Sequence, residues 1–174
     1  MTDSTNDKDI QQLIQDLKDK DRYARISAVE ALRKMGDAAA VPGLIEALSD
    51  SDWGVRWVAA GALGEVGDAA AVPALLQTLP RSDTILREIA AQSLGRIGSA
   101  AVTGLREMLT HPNKEVRLVV VQTLGEIGRA STITDLVDAL QDEDWQVRWA
   151  AVKALEMIGT PEAKAIASKW KRAG

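Results

Sequence analysis

Few residues in this 174-residue chain could do covalent or metal chemistry, because there is no cysteine and only one histidine, His111. His111 stands directly before Pro112 and has no helical partner at ligand spacing, so neither a metal site nor a nucleophile and base pair can be built on it. Gly61, Gly64 and Gly67 have the look of a phosphate loop. They fall inside and at the end of a helical pattern with no strand before it, where a phosphate cradle does not form. Walker, G-x-S-x-G and H-E-x-x-H motifs are all missing. The expectation is a protein that is not an enzyme and carries no cofactor and no metal. Tryptophan is the side chain left for recognition chemistry. Trp53, Trp57, Trp145 and Trp149 sit in two copies of the pattern D-W-x-V-R-W, and large rigid aromatics are the usual anchors of protein interfaces.

The elements that carry these residues are repeats. Arg25, Arg56, Arg87, Arg117 and Arg148 are each followed eleven residues later by Gly36, Gly67, Gly98, Gly128 and Gly159. Four residues before each arginine stands Asp21, Asp52, Asp83, Asn113 or Asp144. These types cap helix N-termini and can meet the arginine at i, i+4. Each unit therefore opens with a capped helix that ends at a glycine able to take the left-handed conformation. A second helix follows at once, with Val41, Leu44, Ile45 and Leu48 or Val72, Leu75, Leu76 and Leu79 along one face. Pro42 and Pro73 fit its first turn.

The expected fold is all-α, a right-handed α-α superhelix of about eleven helices. Residues 1–8 read as a disordered tail, and 9–174 as one domain. A capping helix spans 9–19, and the repeats span 21–50, 52–81, 83–111, 113–142 and 144–172. Repeat three is one residue short between Gly98 and Val102, which predicts a local irregularity, and it places Arg106 where its sisters have Ile45 or Leu76.

Winding the first helix of repeat two at about 100° per residue puts Val55, Ala59 and Leu63 on one side and Trp53, Gly54, Trp57 and Gly61 on the other. The same stripe carries Tyr23 in repeat one, Ile85 and Glu88 in three, Leu118 in four, and Trp145, Trp149 and Lys153 in five. Gly54 and Gly61 flank Trp57, which suggests a shallow pocket for a partner side chain. The competing structural reading is that each tryptophan lies down over the adjacent repeat.

The residues Asp52 to Leu79, DWGVRWVAAGALGEVGDAAAVPALLQTL, resemble the HEAT-like repeats named after phycobilisome lyases, and the likeness runs through nearly the whole chain. The resemblance implies a HEAT-like solenoid. In it the V-R-x-x-A-A-x-A-L-G helices line the concave side and the Asp and Arg positions form a ladder between repeats. The chain departs from the pattern at Arg33 and Glu156, where Gly64, Gly95 and Gly125 stand in other repeats, and at Asn113. These departures predict looser packing there. One histidine cannot supply the His-Glu pairs of the helical-repeat metal hydroxylases.

The leading functional expectation is a scaffold that binds another protein on its concave face through Trp53, Trp57, Trp145, Trp149, Tyr23, Gly54, Gly61, Ile85, Glu88, Leu118 and Lys153. The alternative implied by the resemblance is a bilin lyase-like or chromophore-handling accessory protein for phycobiliproteins, with a biliprotein or bilin as partner. Closure of a homodimer by the same stripe is a third reading. No nucleic-acid partner is expected, because Arg22, Lys114 and Lys153 on the stripes are balanced by Glu30, Glu88 and Glu115, and the net charge is −4. Residues Met1 to Ile10 are polar and acidic, and no long apolar run follows, so no membrane role is expected. With no cysteine, the expected location is cytoplasmic.

Overall fold

A computed structural model describes residues 3–173, with side chains described for 8–172. The chain is all-helical among these residues, with eleven α-helices joined by turns and short 3-10 segments. It divides into two compact units, Met1–Ile97 and Gly98–Gly174. The division falls at the shortened Gly98–Val102 connection, inside the 9–174 stretch that the repeats suggested as one domain.

The first unit contains α1 (Asp3–Asp16), α2 (Arg22–Met35), α3 (Val41–Ala47), α4 (Trp53–Val66), α5 (Val72–Arg81) and α6 (Thr84–Ile97). Helix α1 starts at Asp3, where a disordered tail through residue 8 was expected; residues 1 and 2 lie outside the described residues. No proline or glycine interrupts residues 3–9, so nothing stops the helix from continuing upstream of its first apolar position. Ile10 of the helix and Leu17 just after it are buried. Helices α2, α4 and α6 pack side by side, and α3 and α5 lie against them. The core is Leu32, Leu44, Leu63, Leu75, Leu79 and Leu94, all fully buried.

The second unit contains α7 (Val102–Met108), α8 (Lys114–Ile127), α9 (Ile133–Ala139), α10 (Trp145–Ile158) and α11 (Pro161–Ala173). It is built the same way around Leu105, Leu124, Leu136 and Leu155. Arg106, at the expected apolar position, stays on the surface and donates to Asp135 at 2.7 Å and to the Ser131 carbonyl. Ala163 and Ala167 of α11, which packs on α10, are buried.

The five glycines eleven residues after the arginines all take positive φ, between 62° and 77°. Only a residue without Cβ enters that region freely, so each glycine ends its helix there. The second helix does not follow at once. A 3-10 turn intervenes at Ala38–Ala40, Ala69–Ala71, Gly98–Ala101 and Ala130–Thr132. In the first two of these, Asp37 and Asp68 cap the turn by accepting from Ala39 and Ala70 N–H.

The i, i+4 contact between cap and arginine forms only through the backbone, as from Arg56 N–H to the Asp52 carbonyl at 3.2 Å, and the side chains do not pair among the described residues. The cap carboxylates turn instead to the backbone, as when Asp52 accepts from Gly54 and Val55 N–H. Asn113 caps as well, accepting from Glu115 N–H. The arginines reach further along the stack. In the first unit Arg25 donates from Nε and Nη2 to both oxygens of Asp50, at 2.7 and 2.9 Å. In the second unit Arg117 does the same to Asp142, at 2.8 and 2.9 Å. Each acceptor lies two residues before the next helix cap. A second rung joins the first residue of one helix to the cap of the next, as Arg22 to Asp52, Trp53 to Asp83 and Lys114 to Asp144, each at 3.0 Å.

Backbone contact sets the spacing of the helices. A Cβ built on Gly64 would lie 2.6 Å from Ser93 Cα, and one on Gly125 would lie 2.7 Å from Ala154 Cα. At the positions that carry Arg33 and Glu156 instead, ion pairs take the place of this contact. Arg33 binds Glu30 and Glu65, and Glu156 binds Lys153 and Lys171.

Burial alone would raise the Asp142 carboxyl, yet the Arg117 fork and the Asp144 N–H hold it below the ordinary aspartate value of 3.8. The pair's contribution is therefore complete above that value and is lost as pH falls through the lower folded value. The Asp142→Asn variant is expected to be less stable than wild type at pH 7, with the gap closing below about pH 3.8. Urea unfolding across that range measures it, and a gap that stays constant into acid would contradict the ion-pair assignment.

Candidate functional site

The exposed aromatics fall into one group in each unit. In the first unit, Trp53 opens α4 and Trp57 lies one turn on, so the two indoles meet along the helix face. Their rings stack with centroids 6.3 Å apart and planes 21° from parallel. Each is about 41% exposed. Trp53 is not free to turn outward, because its indole N–H donates to Asp83 at 3.0 Å. That bond, after the Leu86 N–H that Asp83 also accepts, helps hold the Asp83 carboxyl below its usual value.

Trp57 borders a cleft of about 340 Å³ between α2, α4 and α6. Gly61, Ala62, Val58 and Ile89 give it an apolar lining. A Cβ on Gly61 would meet nothing within 4 Å, so the glycine leaves open space beside the indole. Gly54 does not contribute to such a pocket. Asp52 Oδ1 would lie 3.0 Å from its Cβ and Ile26 3.5 Å, because the capping carboxylate folds back over the first turn.

The rim of the cleft is charged. Arg33 joins Glu65 and Glu30 at 2.6 Å each, and these two carboxylates stabilise its guanidinium charge further. Arg96 approaches Glu65 at 3.7 Å. Two cations face two anions, so the rim has no cationic excess. Of the other residues singled out on the first-unit stripe, Tyr23 is 67% exposed with the Arg22 guanidinium 5.1 Å from its ring centre. Ile85 and Glu88 are exposed on α6 and do not line the cleft.

In the second unit Trp145 opens α10 and is 64% exposed. No acceptor among the described residues takes its indole N–H. Trp149 lies between two lysines, with Lys153 Nζ 5.2 Å and Lys171 Nζ 5.5 Å from its ring centre. Both lysines also bind Glu156, whose carboxyl is held below its usual value first by Lys171 and then by Lys153. Helix α11 thus lays a cation over the indole. Leu118 is half-buried on α8.

Sequence reasoning missed the Glu30, Arg33, Glu65 and Arg96 rim. Its signal was present in Arg33, the charged residue at a glycine position, whose reach to Glu65 depends on how α2 and α4 pack. Asp83 as the acceptor of Trp53 was likewise visible only as a 30-residue offset.

HEAT repeats match residues 10–95 and 102–170. The chain belongs to the HEAT-repeat family. The PBS lyase HEAT-like repeat matches residues 86–111, the third repeat. Among solved structures the chain is similar to the complex of CpcE and CpcF of phycocyanin lyase from Nostoc sp. PCC7120. Identity there is 29% and the TM-score 0.62, over 88% of this chain and 66% of that one. The chain thus spans slightly less than two thirds of that neighbour. A structure from microtubule plus-end tracking by XMAP215, CLIP-170 and EB1 has a TM-score of 0.69 at 16% identity, covering 94% of this chain and 90% of that one. A designed armadillo repeat protein in complex with the peptide (KR)4 has 0.54 at 19%, covering 94% and 88%. These last two share the fold. Curated protein sequences give no match. No helix among the described residues is long and apolar enough to cross a membrane.

Two glycines one turn apart on α4 are expected to respond to alanine in opposite directions. Gly61→Ala should stabilise by about 0.5–1 kcal/mol, since helix glycine is entropically costly and the space is open. Gly64→Ala should destabilise by about 1–3 kcal/mol, since its methyl collides with the backbone at Ser93. Denaturant unfolding of both variants checks this, and a stable Gly64→Ala protein would contradict the described helix spacing.

Proposed function

We propose that this HEAT-repeat protein is a non-catalytic scaffold that binds another protein through the outward face of its first helices. The observation that carries the reading is the Trp57 and Gly61 cleft, where a half-exposed indole borders unfilled apolar space inside a ring of paired charges. An apolar side chain of a partner entering it would lose water on all sides, while the rim pairs stay formed. That is how interface hot spots are built. Trp53 supports Trp57 by stacking and is itself held by Asp83. In the second unit Trp145 is the more exposed anchor, and Trp149 presents its indole beside Lys153.

The similarity to the CpcE and CpcF complex favours a second reading, in which the protein is an accessory factor that handles phycobiliproteins or their bilin. A flat tetrapyrrole with carboxylate arms suits exposed indoles next to lysines, and Trp145, Trp149, Lys153 and Lys171 supply both. In this reading a second helical-repeat subunit completes the active species.

Capture of partners from lysate of the source organism, comparing wild type with Trp57→Ala, Trp149→Ala, tests the scaffold reading. Specific partners should be lost from the double variant while its helical circular dichroism is unchanged. An identical partner list in a folded variant would remove the aromatic face from the function. The second reading predicts a visible absorbance change when the protein, with or without a second subunit, meets free bilin. A flat difference spectrum in both conditions counts against it.

A further inference from the structure

The rung arginines share a grip that shows what Arg56 is missing; Arg148, whose counterpart 25 residues on is Ala173, also lacks the fork among the described residues but has no second cation there. Arg25, Arg56, Arg117 and Arg148 each donate from Nη1 to two carbonyls of the turn just before their helix. This aims the opposite edge of the guanidinium, Nε and Nη2, along the stack. At Arg25 and Arg117 that edge holds an aspartate carboxylate 25 residues on, in a planar two-bond fork. The residue 25 positions after Arg56 is Arg81, a second cation in place of the acid.

Arg56 Nε and Nη2 therefore have no acceptor among the described residues, and Arg81 makes no hydrogen bond or ion pair there. A cleft of about 330 Å³ lies between them in the first unit, lined also by Ser49, Gln77 and Leu86. Asp83 is the acid on its wall. Both of that residue's oxygens are already engaged, one by the Leu86 N–H and the other by the Trp53 indole.

We infer that this cleft binds a carboxylate, held by the Nε and Nη2 edge of Arg56 with Arg81 closing over it, in the place that Asp50 and Asp142 occupy in the sister repeats. The donors present suit it, since a guanidinium edge matches the two oxygens of a carboxylate and Gln77 and Ser49 can donate to the same group. The apolar wall at Leu48, Ala74 and Leu86 accommodates a short carbon chain behind it. The cleft touches the tryptophan face only through Asp83, which accepts from Trp53, and the assignment does not depend on the scaffold reading.

The probe is sodium malonate, added to the full chain at ionic strength matched with sodium chloride, with the thermal midpoint as readout. Malonate at tenfold its dissociation constant should raise the midpoint by on the order of 3 °C. The response should vanish in Arg56→Gln. Arg81→Asp should melt higher than wild type without ligand and no longer respond, because the substitution completes the missing rung within the chain. Should Arg56→Gln not fold, Arg81→Asp alone decides. The peptide N-acetyl-Ala-Asp-Ala-amide matching malonate would support a partner's acidic side chain as occupant, and a response to malonate alone would support a small free carboxylate. Equal midpoints in malonate and chloride, an unchanged response in Arg81→Asp, or an equal response to phosphate would overturn the assignment.

Discussion

In both units the position of one helix relative to the next is set by a guanidinium that is held on two sides. Its Nη1 is anchored to carbonyls at the foot of its own helix, so the remaining edge has a single direction in which to find an acceptor. Where an aspartate stands in that direction, as at Asp50 and Asp142, the turn before the next helix is fixed in register. The carboxylate then serves twice, because Asp50 also accepts from the Asp52 N–H and Asp142 from the Asp144 N–H. One side chain thereby orders the turn that presents the next cap. The interaction between repeats and the start of each helix are one device.

Glycine and alanine complete the device from the other side. At Gly64 and Gly125 the neighbouring helix comes so near that no side chain fits, which brings backbones together and excludes water from the seam. Where the chain carries Arg33 and Glu156 instead, the helices are joined through ion pairs that reach the surface. Those two substitutions also shape the recognition features. Arg33 forms the rim of the Trp57 cleft, and Glu156 gathers the two lysines that flank Trp149. Departures from the repeat consensus and surface chemistry therefore coincide. A scaffold can vary at such places without losing its core.

The tryptophans divide by the same logic. Trp53 takes the position at which Arg22 and Lys114 reach forward to the next cap, and its indole N–H makes the bond that a cation makes in those repeats. It is thus both a rung and an exposed surface. Trp57 and Trp149, one turn later, have no such duty, and their surroundings differ because one borders the open cleft left by Gly61 and the other lies beneath a lysine from α11.

The sequence by itself determined the helices, their caps and their order, because these depend on local rules. Aspartate or asparagine before a helix, glycine after it and an apolar face at helical spacing act within a few residues of one another. It also placed the tryptophans on the outward face, since helical winding alone assigns that side. Only the tertiary structure decided where the long side chains end. The partner of Arg25 lies 25 residues away and that of Trp53 lies 30 away, and each choice depends on how closely two helices approach. The Trp57 cleft, the filled space at Gly54 and the vacant fork at Arg56 are all products of that packing. A rigid backbone pattern can be read from neighbours in sequence, whereas the reach of a flexible charged side chain is settled by neighbours in space.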